Sequence, residues 1–186
     1  SVLAYFIIIK CRFSIFLLQI YIFLVYYMCE ITFRAMEAAM KILTISDEEC
    51  PALWDYYLPG RLDEYDLIIS CGDLKAKYLS FLVTMSKCPV LYVPGNHDTT
   101  YDQAPPEGCD CIDGHIVTYN GVRILGLGGC RKYHPGPHQY TDKQMRLRIA
   151  KLGWKLWRMK GVDIVVTHAA PEGLGAKGAE GLRQVD

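Results

Sequence analysis

From Met40 onward, short apolar runs alternate with stretches of helical periodicity, the pattern of a largely parallel sheet with connecting helices. "KILTIS" is expected to be the first strand, "YDLIIS" and "CPVLYV" the second and third, and "GVDIVVTH" a later one. Runs such as "LIIS" and "DIVVT" do not alternate, so they read as strands covered on both faces. "GHIVTYNGVRILGLGG" sets Asn120-Gly121 between two β-rich runs, a strong hairpin signal. "LKAKYLSFLVTMS" reads as a helix, and residues 141–160 read as a second one. Thr141 suits its N-cap, Gln144 completes a capping box and Gly161 ends it. Met145, Ile149, Leu152, Leu156 and Met159 form its apolar stripe. Lys143, Arg146, Arg148, Lys151, Lys155, Arg158 and Lys160 occupy the other faces. They are expected to be a solvated surface, with an acidic partner or nucleic acid as the alternative. No internal repeat or low-complexity tract follows residue 40.

The first 39 residues differ from the rest. "FSIFLLQIYIFLVYYMC", residues 13–29, approaches the length of a bilayer span and follows Lys10 and Arg12, so it can be read as a signal anchor. The reading preferred here is different. The chain begins with Ser, and Phe, Ile, Tyr and Leu dominate the segment, as in translated AT-rich non-coding DNA. Codons for Met36-Glu37-Ala38 can also contain a ribosome-binding sequence just before Met40. Residues 1–39 are therefore expected to be translated upstream sequence, with the native start at Met40.

Composition adds bounds. A chain of 186 residues suits one domain with a substantial core. Zero formal charge and 22% charged residues describe an ordinary globular protein without a tail for nucleic acid. The eight cysteines include no Cys-x-x-Cys, and Cys109-Asp110-Cys111 is the one close pair. They read as reduced thiols of a cytoplasmic protein. No membrane contact is expected unless residues 13–29 are a true anchor.

The strand ends carry the candidate chemistry. The first strand runs into Ser46-Asp47-Glu48-Glu49, the second into Cys71-Gly72-Asp73, and the third into Gly95-Asn96-His97-Asp98. The late strand runs into Thr167-His168. Ligands of open α/β sheets bind at carboxyl ends of strands. A lone Asp there usually caps a turn, but four metal-competent ends in register point to one shared site. Carboxylates, an amide and imidazoles suit Mn, Fe or Zn better than a thiolate site would. A bridging carboxylate can hold two ions as a clamp for phosphoryl transfer. Gly72 and Gly95 fit sharp turns with close backbone approach.

These motifs, "SCGDL", "GNHD" behind an apolar strand and "VVTHAAPEG", stand in order over residues 40 to about 175. The chain resembles the calcineurin-like metallophosphoesterase superfamily, whose pattern is Asp-x-His, Gly-Asp, Gly-Asn-His-Asp or -Glu, a lone His after a strand, and Gly-His-x-His. The resemblance implies an α/β fold, specifically a layered αββα sandwich. It also implies hydrolysis of a phosphomonoester or phosphodiester by a hydroxide activated by two divalent ions, Mn, Fe or Zn. Asp47 would bind the first metal, Asp73 would bridge both, and Asn96 and His168 would bind the second. His97 would protonate or stabilise the leaving oxygen, with Asp98 orienting its ring.

Two departures mark the chain. Glu49 stands where the pattern has its first His; it is read as a metal ligand whose added negative charge makes Mn favoured over Fe or Zn, a lost ligand being the alternative. Gly-His-x-His is absent, which reads as a C-terminally incomplete domain with weakened metal affinity and an exposed sheet edge. The polar connection at residues 128–142 follows a strand and is expected to overhang the site. Arg131, His134 and His138 are its candidate contacts for substrate phosphate, or else a surface loop with incidental histidines. His115 reads as structural. The expected partner is a phosphate ester, with no nucleic acid. The competing function is a protein-binding scaffold of the same fold without catalysis.

Overall fold

The computed structural model describes residues 40–170, and the expectations for residues 1–39 and for the tail after residue 170 lie outside them. The order is β1 (Ile42–Ile45), a 3-10 turn (Pro51–Leu53), β2 (Leu67–Ser70), α1 (Ala76–Met85), β3 (Val90–Tyr92), β4 (Asp110–Cys111), β5 (Ile116–Tyr119) and β6 (Val122–Leu127). Then come β7 (Cys130–Arg131), β8 (Gln139–Tyr140), α2 (Asp142–Arg158) and β9 (Ile164–Thr167). The fold is mixed α/β. One sheet runs β1-β2-β3-β4, all parallel. A second runs β5-β6-β9, where β5 is antiparallel to β6 and β9 is parallel to it. β7 and β8 pair as a short parallel ladder.

Of the two non-alternating runs, β2 is buried on both sides as expected, whereas β9 is not: Val166 is buried, but Val165 on the opposite face is 55% exposed, because no described residue covers that face. In β2, Ile68 faces a cluster with Tyr78, Leu79 and Leu82 of α1, together with Val90 and Tyr92. Leu67 and Ile69 face the other way, into a cluster that joins Leu91 and Val93 to Ile124 and Val166 of the second sheet. Each fully buried aliphatic side chain contributes roughly 1.5–3 kcal/mol. The far side of the second sheet buries Ile116, Leu125 and Leu127 against Leu152 and Leu156 of α2 and Met159 at its C-cap. The hairpin turn has Asn120 at φ 47° and Gly121 at φ 82°, the two left-handed positions that Asn-Gly tolerates.

α1 has no side-chain cap, so its stability comes from the three residues it buries. α2 starts as expected, with Thr141 and Gln144 in a reciprocal capping box. Its end differs in detail from the expectation. Lys160, at φ 57°, takes the left-handed position, and Gly161 follows it. Lys160 N–H donates to Trp157 O at 3.1 Å and Gly161 N–H to Leu156 O at 2.9 Å, a Schellman closure.

The stripe of α2 also needs correction. Ile149 is 44% exposed. Arg148 turns inward instead, donating to Asp113 Oδ1 at 2.5 Å and Gly128 O at 3.0 Å, with its guanidinium 4.1 Å from the centroid of the Tyr140 ring. Lys155 reaches Ile116 O at 3.1 Å. Two of the residues assigned to the solvated basic face thus tie the helix to its surroundings, their long stems letting charge and packing coexist. Trp154 and Trp157 stack on each other, each 71% exposed. Among the described residues no helix is long and apolar enough to cross a membrane, and the six cysteines there are free.

Candidate metal centre

Asp47 follows β1, Asp73 follows β2, Asn96 and His97 follow β3, and His168 follows β9. One ligating atom each from Asp47, Asp73 and His168 lies within 4.8 Å of the others. The turns make this possible. Asp47 and Asp73 are both left-handed, at φ 62° and 59°, a conformation Asp tolerates better than most residues but one that costs of order 1–3 kcal/mol. Asp47 N–H donates to Gly72 O at 3.1 Å, joining the first two turns. A Cβ on Gly72 would sit 2.4 Å from Gly95 N, and one on Gly95 would sit 2.0 Å from Asp73 Oδ1. Only hydrogens fit where the second and third turns touch, so the two glycines set the depth at which Asp73 enters the site.

Asp73 Oδ1 accepts from His97 N–H at 2.8 Å, which leaves Oδ2 facing His168 Nε2 at 3.4 Å and His97 Nε2 at 3.9 Å. His168 is held from behind, with Nδ1 2.9 Å from Cys71 O. A carbonyl only accepts, so Nδ1 carries the proton. In the neutral ring Nε2 then presents a lone pair. That lone pair faces oxygens that are themselves acceptors, Asp73 Oδ2 and Asn96 Oδ1 at 3.1 Å. With the ring neutral, Asp73 Oδ2, Asn96 Oδ1 and His168 Nε2 face one another with no donor between them, an arrangement that fits a cation, and the oxygen and nitrogen set fits a hard to intermediate one.

The remaining expected site residues divide. Asn96 belongs to the cluster through Oδ1, and its Nδ2 donates to Tyr133 Oη at 3.0 Å. His97 lies at the rim with its side chain 75% exposed. Asp98 does not hold His97. It points inward, 5% exposed, and Oδ2 accepts from Gly95 N–H at 2.7 Å and Asp73 N–H at 2.8 Å. Its neighbour points to the opposite side of the same turn. Burial pushes the Asp98 carboxyl above its ordinary range; the two N–H groups pull it back, the charge of Asp73 raises it and His168 lowers it. Glu49 stands outside the cluster. Its Oε2 pairs with Lys75 Nζ at 3.1 Å, while Oε1 is buried without a hydrogen-bond partner.

Of the loop candidates, Arg131 is exposed and lies 3.7 Å from Asp142 Oδ1. His138 turns inward at φ 52°, its Nε2 unpartnered and 3.9 Å from Asp102 Oδ1, so it is not offered to a substrate phosphate. His134 is exposed, with Nδ1 2.7 Å from Gln139 Nε2. His115 Nδ1 bonds Asp113 O at 2.8 Å, as a structural residue would. Sequence reasoning missed the Cys71 carbonyl, Tyr133 and Gln139. A backbone carbonyl has no residue signature, and neither a Tyr nor a Gln in a polar loop stands out by type.

No family model matches the chain, and no curated protein matches it.

Proposed function

We propose that this chain is a metal-dependent phosphoesterase with the layered αββα architecture of calcineurin-like enzymes, hydrolysing a phosphomonoester or phosphodiester. The observation that carries the reading is the convergence of Asp47, Asp73 and His168 within 4.8 Å at strand ends drawn from both sheets. The clusters on the outer faces of the two sheets, one with α1 and one with α2, accord with that layering.

Asp47, Asp73, Asn96 and His168 would hold the ions, a donor set that suits Mn, Fe or Zn. Such ions, when bound, would supply Lewis acidity to phosphoryl oxygens and lower the pKa of a bound water. His97 stands at the open rim, where its imidazole can give a proton to the departing oxygen. Asp98 positions the two turns, and Cys71 O fixes the tautomer of His168.

The test is metal content by plasma mass spectrometry, with hydrolysis of a generic phosphomonoester and a phosphodiester in added Mn. Bound metal, turnover of at least one ester, and loss of roughly 10²–10⁴ in rate for His97→Ala with metal retained are expected. A folded protein that binds no metal and hydrolyses neither ester is instead a scaffold. That second reading is favoured by one observation, the engagement of Glu49 with Lys75 rather than with the cluster.

A further inference from the structure

The loop between β7 and β8 presents a prepared aromatic surface at the edge of the metal centre. The rings of Tyr133 and His134 stack at 4.3 Å between centroids and 18° between planes. One face of Tyr133 is thus covered by His134, while the residue stays 63% exposed. An exposed tyrosine usually samples several rotamers, but this one is pinned at three points. Its hydroxyl takes the hydrogen bond from Asn96 Nδ2. Its backbone N–H and that of His134 both donate to Gln139 Oε1 at 3.3 Å. Gln139 is buried, and its Nε2 donates to His134 Nδ1, which fixes the lower ring of the stack. A buried amide that spends its donor and its acceptor on holding one exposed ring pair is pre-organisation, and binding is strengthened when ordering is done in advance.

Asn96 connects this surface to the metal centre, since the same amide sets Oδ1 3.1 Å from His168 Nε2 and donates through Nδ2 to Tyr133. A phosphoryl group bound at the cluster therefore places its ester substituent within reach of Tyr133. We infer that the Tyr133–His134 pair is a stacking platform for the organic part of the substrate, and that the preferred substrates are phosphate esters carrying a planar aromatic group, of the nucleotide type. The inference rests on the phosphoesterase reading for its chemistry, but the platform itself can be tested by binding.

The experiment compares adenosine 5′-monophosphate with ribose 5-phosphate, and the methyl diester of each, on the full chain in Mn. The two monoesters each release a primary alkoxide at the ribose C5, and they differ at C1, which carries adenine in one and a hydroxyl in the other. Both kcat/KM and calorimetric affinity are measured for wild type, Tyr133→Ala and Tyr133→Phe. Base stacking on an aromatic side chain predicts a preference of roughly 5- to 150-fold for the adenosine compounds. Tyr133→Ala should bring that ratio close to one. Tyr133→Phe should keep it while losing the bond to Asn96, which separates stacking from the positioning of the amide. A ratio near one in wild type, or a ratio that survives Tyr133→Ala, overturns the platform even if all four esters are hydrolysed. If wild type hydrolyses none of them, nor the generic esters, and binds no metal, the phosphoesterase reading fails, and the affinity ratio still decides whether the platform exists.

Discussion

Replacing Asp98 separates two accounts of the residue. If it oriented His97, its loss would lower turnover and leave stability nearly unchanged. The structure assigns it another job, because Oδ2 receives two N–H groups at 2.7 and 2.8 Å from a position 5% exposed to solvent. In Asp98→Ala both donors lose their acceptor. A buried donor left unsatisfied costs about 1–3 kcal/mol, so the variant should lose about 2–6 kcal/mol. Against the 5–15 kcal/mol typical of a domain, that is a large fraction. Asp98→Asn keeps an oxygen able to accept both bonds and removes a buried charge, so it should lose far less. The pH dependence has a definite sign. The folded-state pKa is raised, chiefly by burial, so this group favours folding most below the unfolded value near ~3.9 and loses that contribution as pH rises through the folded value. Asp98→Asn should therefore gain on wild type as pH rises out of the carboxylate range. Urea unfolding of both variants, in chelator to remove metal and at several pH values, gives the midpoints. Equal stability of wild type and Asp98→Ala would refute the account.

Three further outcomes follow from the same geometry. Gly95→Ala drives a methyl to within 2.0 Å of Asp73 Oδ1, whose partner oxygen cannot simply swing away; overpacking of about 1–3 kcal/mol and loss of metal binding are expected, checked by urea unfolding and metal titration. Asp73→Asn and His168→Ala should abolish Mn retention on gel filtration, whereas Glu49→Gln should leave it intact, because Glu49 faces Lys75; loss of metal in Glu49→Gln would restore it as a ligand. Arg123 grips Asp163 through Nε and Nη2 at 2.9 and 2.6 Å, holding that carboxyl down to about 2, so its stabilising effect is complete above the ordinary value near ~3.9 and disappears as pH falls from there through about 2; acid unfolding of Asp163→Asn should lack that component.

Local rules made much of this chain legible. The non-alternating run of β2 told of a strand buried on two faces, since such a strand has no solvent side to mark, but the same pattern misled for β9, where Val165 is 55% exposed. Asn120-Gly121 marked the hairpin and Thr141 with Gln144 marked the start of α2, because those signals depend on a few adjacent residues. Asp47, Asp73 and Asn96 were legible as one group because a parallel sheet brings the ends of its strands to one edge; His168 ends a strand of the second sheet, so its meeting with them depends on how the two sheets pack. Two-residue strands such as β4, β7 and β8 carry no periodicity and were not visible. Side-chain direction was not legible either. Asp98 and His97 are neighbours in sequence, yet the turn sends one into the protein and the other into solvent. Glu49 has the right chemistry and the right spacing, but Lys75, 26 positions later, claims it. Arg148 reads as a surface cation until Asp113, 35 positions earlier, draws it inward. The tie between Tyr133 and Asn96 likewise spans 37 positions. Strand, turn and cap follow from short-range sterics and hydrogen bonding, which the sequence by itself determines. Which partner each polar side chain meets depends on residues that only tertiary packing brings together.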